Sequence, residues 1–121
     1  MSVVWEHYVD IEIIFIDDHS SDNTAKIIGS YCRDYQNWRI ISLDEKSTKL
    51  RGKKNALQKG ISVAKGEIIF TTDADCIVDQ NWIRNSLKYF EDTNISCVGG
   101  PNLTPGDEGD FGKIVGFIFN K

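Results

Sequence analysis

Ile11, Ile13, Ile14, Phe15 and Ile16 make a near-continuous apolar run that stops abruptly at Asp17-Asp18. Apolar side chains on both sides of an extended chain are the pattern of a strand covered on both faces, and such strands belong to sheets flanked by helices. The next residues agree. His19-Ser20-Ser21-Asp22-Asn23-Thr24 is a turn rich in helix N-capping side chains. The spacing then predicts a helix over about 24–33, with Ile27, Ile28, Tyr31 and Cys32 turned inward. Residues 38–43 read as a second strand, and 44–50 as a polar loop. Ala56, Leu57, Ile61 and Ala64 recur at helical spacing, so 52–64 is a second helix that Gly60 weakens modestly.

A second acidic strand end follows. Glu67-Ile68-Ile69-Phe70 is apolar and β-branched, too short for a helix, and sits behind the helix-stop signal Lys65-Gly66. It runs through Thr71-Thr72 into Asp73-Ala74-Asp75. If the extended geometry persists, both carboxylates point to one side. Two carboxylates held together repel each other and lose hydration unless a cation or hydrogen-bond donors compensate. Asp79 reads as the N-cap of a helix reaching Phe90, 95–98 as a short strand broken by Gly99-Gly100-Pro101, and 111–119 as a last helix.

Strands alternating with helices predict an α/β domain with a mainly parallel sheet. Ligands of such sheets sit outside the carboxyl ends of the strands. Parallel strands ending at Ile16 and Thr72 would place Asp17, Asp18, Asp73 and Asp75 on one rim. Four carboxylates there suit a site for a hard divalent cation carrying substrate phosphates. Solvated loop carboxylates are the plainer alternative for each pair.

The 121 residues suffice for one domain, and a net charge of −4 leaves no basic footprint for nucleic acid. No apolar run reaches the length of a membrane span. Residues 1–5 lack the charge and apolar length of a signal peptide. Cys32, Cys76 and Cys97 are odd in number and widely spaced, which suits small core thiols in a reducing, cytoplasmic setting.

Three segments in order resemble the motifs of family 2 glycosyltransferases, which have the GT-A nucleotide-sugar-binding fold. Glu12-Ile13-Ile14-Phe15-Ile16-Asp17-Asp18-His19-Ser20-Ser21-Asp22-Asn23-Thr24 resembles the family's EIIVVDDGSTDGT segment. Gly52-Lys53-Lys54-Asn55-Ala56-Leu57-Gln58-Lys59-Gly60 resembles GKxxALNxG, and 66–75 resembles the strand ending in the DxD motif. A lone DxD is a weak signal; three ordered motifs are a strong one. The resemblance implies a Rossmann-like donor-binding half and a nucleotide-diphosphate sugar as partner. It implies that Asp17 or Asp18 contacts the nucleotide base, and that Lys53 lies near ribose and phosphates. Asp73 would lie near ribose or sugar, and Asp75 would coordinate Mg²⁺ or Mn²⁺. The acceptor remains open.

Departures from the pattern shape the expectation further. His19 stands where the family commonly has Gly and reads as a turn residue tolerant of unusual dihedrals. Gln58 stands where Asn is common. Residues 1–9 lack the pattern of the family's first strand, and the catalytic base is expected beyond Lys121. The expectation is therefore an incomplete donor half, inactive by itself and prone to homo-oligomerise through unpaired strands. The longer parent would act in the cytoplasm at the inner face of the membrane.

Other groups read more plainly. Asp107, Glu108 and Asp110 form a charged surface loop. Lys46, Lys49, Arg51 and Lys54 form a solvated basic face, from which only the motif separates Lys53. His7 carries no signal, and Trp5, Trp38 and Trp82 sit in apolar patterns as packing residues. Cys76 has no neighbouring base and reads as a buried thiol. A response-regulator-type phosphoacceptor domain would also carry an early acidic pair, but no Lys-Pro follows residues 97–100. A non-catalytic sugar-nucleotide-binding module is the third reading.

Overall fold

The computed structural model describes residues 11–43, 52–102 and 114–120. The expectations for residues 1–9, for the 44–50 loop with Lys46 and Lys49, for Arg51, and for Asp107, Glu108 and Asp110 lie outside that set. The chain divides into two compact units, one of residues 8–66 and one built on residues 67–121.

The first unit is a β-α-β unit followed by a helix. Strand β1 (Ile13–Asp17), helix α1 (Thr24–Asp34), strand β2 (Trp38–Ser42) and helix α2 (Lys53–Val63) follow in order. β1 and β2 pair in parallel, from Ile13 opposite Trp38 to Asp17 opposite Ser42. The ladder is extended at its ends by Ile13 N–H to the Asn37 carbonyl (3.0 Å) and Leu43 N–H to the Asp17 carbonyl (2.9 Å). Parallel strands need a crossover, and α1 supplies it. One N–H of its first turn, that of Thr24, donates to the Asp22 carboxylate at 2.9 Å. Trp38 stacks on Tyr35 at 4.3 Å and meets Phe15 at 5.7 Å, a packing role as its apolar pattern predicts.

Burial departs from the sequence reading. Ile13 to Ile16 are half-buried, not covered on both faces. Ile28 and Cys32 are half-buried, but Ile27 and Tyr31 are 55% and 56% exposed, and Leu57 of α2 is also exposed. The reason is width. Two paired strands lie about 5 Å apart, whereas a helix with its side chains is about 10 Å across. The outer residues of a broad apolar stripe extend past so narrow a ladder.

The second unit holds strand β3 (Ile68–Ile69), helix α3 (Trp82–Leu87), a 3₁₀ turn (Lys88–Glu91), and strands β4 (Cys97–Asn102) and β5 (Ile114–Asn120). Its sheet has the order β3-β5-β4 and is antiparallel throughout. Four expectations change here. The predicted last helix is strand β5: Ile, Val and Phe favour a strand, Gly116 disfavours a helix, and short apolar runs do not separate the two by period. Gly99-Gly100-Pro101 does not end β4; an edge strand tolerates proline because its outward N–H needs no partner. The opening strand is only Ile68–Ile69, both half-buried.

The helix predicted from Asp79 instead begins at Trp82 and tightens to 3₁₀ at Lys88. Asp79 sets its start from outside, accepting Asn81 N–H on its carboxylate (2.7 Å) and Trp82 N–H on its carbonyl (2.9 Å). Ile83 and Ser86 are buried, and Trp82 meets Phe70 edge-on at 5.3 Å. All three cysteines are free thiols; Cys97 is exposed and Cys32 and Cys76 are half-buried, so none is a core residue.

Candidate functional site

The turn after β1 is the best-defined part of the candidate site. Asp17 is the buried last residue of β1, at 9% exposure. Its Oδ1 accepts Ser20 N–H at 3.1 Å. The Ser20 side chain does most to hold its carboxyl below the ordinary value; burial opposes this, and the Ser20 N–H, the Ser42 side chain and the charge of His19 add smaller lowering effects. Asp18 points the other way chemically: it is exposed, and its Oδ1 meets His19 Nδ1 at 2.9 Å. His19 has φ 65°, the left-handed conformation expected of it at this position. The two aspartates that the sequence leaves interchangeable are thus different. Asp17 spends its carboxylate on folding the turn, and Asp18 presents its own to solvent.

Lys53 opens α2 directly after Gly52, whose φ of 64° is one that L side chains rarely adopt. Lys53 is exposed, and the first turn forms with Asn55 N–H on the Gly52 carbonyl at 2.9 Å. Asp17, Asp18 and Lys53 all belong to the unit of residues 8–66.

Asp73 and Asp75 belong to the other unit. The extended geometry that would aim both to one side does not persist. Residues 74–75 form a turn, closed by Cys76 N–H on the Asp73 carbonyl at 3.2 Å. Period-two alternation is lost in such a turn, so spacing alone no longer orients the pair. Both residues are exposed. Cys76 Sγ lies 3.9 Å from Asp75 Oδ1, at the limit of a weak thiol hydrogen bond. Nor do β1 and β3 share a described sheet, since β3 pairs with β5. The common rim predicted from parallel strands is therefore absent from the described pairings.

Among the described residues no three His, Cys, Asp or Glu side chains cluster as a ready-made metal site. The exposed oxygen donors of the 73–75 turn fit a hard cation that keeps most of its water and is shared with a ligand's phosphates.

Sequence reasoning missed Ser20 and Ser42. An Asp-x-x-Ser turn is a local signal that could have found Ser20. Ser42 has none, because it stands opposite Asp17 only through the parallel register.

Glycosyl transferase family 2 matches residues 2–118 of the chain. Among similar proteins, glycosyltransferase GlyG of Streptococcus pneumoniae is 33% identical over 108 residues, which cover 89% of this chain and 34% of GlyG. The poly-beta-1,6-N-acetyl-D-glucosamine synthase of Staphylococcus epidermidis is 39% identical over 80 residues, 66% of this chain and 18% of that protein. The synthase of the same name from Staphylococcus aureus is 35% identical over 108 residues, 88% and 25% respectively. The chain thus spans between 18% and 34% of the length of these relatives. No solved structure matches it. No described helix is long and apolar enough to cross a membrane. The matched span covers nearly the whole sequence, including all three ordered motifs, and the chain belongs to glycosyl transferase family 2.

Proposed function

We propose that the chain binds the nucleotide-diphosphate portion of a sugar donor for glycosyl transfer. The observation that carries this reading is the turn after β1. A buried Asp17 fixes it, and an exposed Asp18 is left as a hydrogen-bond acceptor at the carboxyl end of a parallel strand. That is where ligands of α/β units sit.

In this reading the Asp18 carboxylate accepts an N–H of the base. The Lys53 ammonium donates to ribose or phosphate oxygens. Asp73 lies by the ribose or sugar, and Asp75 would hold Mg²⁺ or Mn²⁺. A bound divalent cation would stabilise the negative charge that grows on the diphosphate leaving group. Two relatives are named as synthases of a poly-N-acetylglucosamine. A polysaccharide is therefore the first acceptor class to test, and UDP-N-acetylglucosamine the first donor. No described residue is assigned as the catalytic base.

Titration calorimetry with UDP, with and without Mn²⁺, tests the reading. Saturable, Mn²⁺-enhanced binding supports it. No binding in either condition, with acetyl phosphate labelling an aspartate, would instead favour a phosphoacceptor domain.

A further inference from the structure

We infer that Glu12 is a positioning residue for the proposed nucleotide site, acting with Arg39 through helix α2 on Lys53. The inference rests on the reading of that site given above.

Glu12 immediately precedes β1, and its two carboxylate oxygens are used separately. Oε2 accepts Arg39 Nη2 at 2.8 Å. Oε1 accepts the backbone N–H of Lys65 and that of Gly66, the latter at 3.1 Å. The same Nη2 of Arg39 donates to the carbonyl of Val63 at 2.7 Å, and Val63 is the last residue of α2. Carbonyls in the last turn of a helix have no partner within the helix. A guanidinium there satisfies one and suits the negative end of the helix dipole.

An isolated ion pair this exposed would contribute little. Here the pair is part of a network that joins three separate segments: the entry to β1, the start of β2 and the C-terminal end of α2. Both side chains are only partly exposed, 25% for Glu12 and 37% for Arg39, so its charge-assisted bonds are partly shielded from solvent.

The consequence is mechanical. α2 is an 11-residue rod, about 16 Å long. Lys53 is its first residue and Val63 its last. Gly60 lies along β1, where a side chain would meet Ile16 at 3.6 Å. With its far end tied to Glu12 and Arg39, α2 cannot slide along β1 or turn about its axis without breaking these bonds. The position of Lys53 is fixed by a carboxylate near the opposite end of the helix. A misplacement of about 1 Å in a binding group is costly even when its cause is remote.

The test is a double-mutant cycle on UDP affinity, measured by calorimetry in Mn²⁺ with E12Q, K53A and E12Q/K53A, alongside thermal unfolding. E12Q keeps one acceptor oxygen but loses the ion pair. If Glu12 acts through Lys53, E12Q weakens UDP roughly three- to tenfold with Lys53 present and less than about twofold in the K53A background. An equal factor in both backgrounds overturns the inference and leaves the site reading intact. If E12Q fails to fold, R39M serves in the same cycle, since a methionine keeps much of the side-chain stem but has no donor for Glu12 or Val63. A folded wild-type chain that binds no UDP overturns the site reading, and the positioning role with it.

Discussion

The two acidic strand ends look alike in sequence and are built differently. Asp17 ends a five-residue strand in a parallel pair and Asp18 follows it, and the first carboxylate is buried and accepts Ser20 N–H. Asp73-Ala74-Asp75 follows a two-residue strand in an antiparallel sheet, and both its carboxylates are exposed around a backbone turn. The first end divides the labour: one aspartate folds the turn and the other faces outward. At the second, the turn is closed by backbone, through the Asp73 carbonyl. A carboxylate used for folding makes a turn rigid before any ligand arrives. Carboxylates left exposed suit a cation that comes with its ligand.

The largest expected effect is at the second end. Asp75→Ala should remove the Mn²⁺-dependent part of UDP binding, a loss of at least about tenfold, since even outer-shell partners of a metal cost that much, while thermal unfolding stays unchanged. UDP curves that overlay wild type at every Mn²⁺ concentration would reject Asp75 as the metal ligand.

The next effect separates the two aspartates of the first end. Asp18→Ala should weaken UDP about tenfold, the scale of one hydrogen bond to a charged acceptor, and should not lower stability. Asp17→Ala should lower stability as well, because the part-buried Ser20 N–H loses its acceptor. If Asp18→Ala destabilises as much as Asp17→Ala does, the division of labour is wrong.

Lys53 offers a smaller contrast. Lys53→Ala should weaken UDP several-fold, and Lys59→Ala, later on the same helix, less than about twofold. Similar losses would mean that the lysines act only as a diffuse field.

How far the sequence reveals this arrangement follows the range of the interactions. Within the first unit, period and turn chemistry are local, so β1, α1, β2 and α2 are legible to within one to three residues. His19 too is legible as a left-handed turn residue. Strand β5 is not, because six residues such as Ile114-Val115-Gly116-Phe117-Ile118-Phe119 fit a helix or a strand until a partner exists, and that partner is Cys97–Asn102. The exposure of Ile27 and Tyr31 is likewise illegible, since it depends on how many strands lie beneath the helix. At the site, motif order points to both acidic ends. The choice between Asp17 and Asp18 needs the burial of Asp17 against its neighbours in the fold, which no local pattern encodes.

The smallest effect concerns pH. Asp17 has its carboxyl held below the ordinary value of 3.8 by the Ser20 side chain and N–H and by the Ser42 side chain. A carboxyl lowered on folding contributes stability that is complete above its unfolded value and is lost as pH falls through the folded one. Unfolding temperature should therefore drop as pH falls below about 4, and Asp17→Asn should flatten part of that drop while lowering stability at neutral pH. Other groups share the acid response: Asp22, held down by Thr24, and Asp92, held down by Asn94 N–H, are lowered too. Only a fraction of the slope belongs to Asp17, so its own titration is the sharper measurement. Followed by carboxyl-carbon NMR, Asp17 should titrate below 3.8 in wild type and shift upward in Ser42→Ala. A midpoint at or above 3.8 in wild type would mean that the hydrogen bonds around Asp17 do not favour its charge, and that the first acidic end is no more committed to its fold than the second.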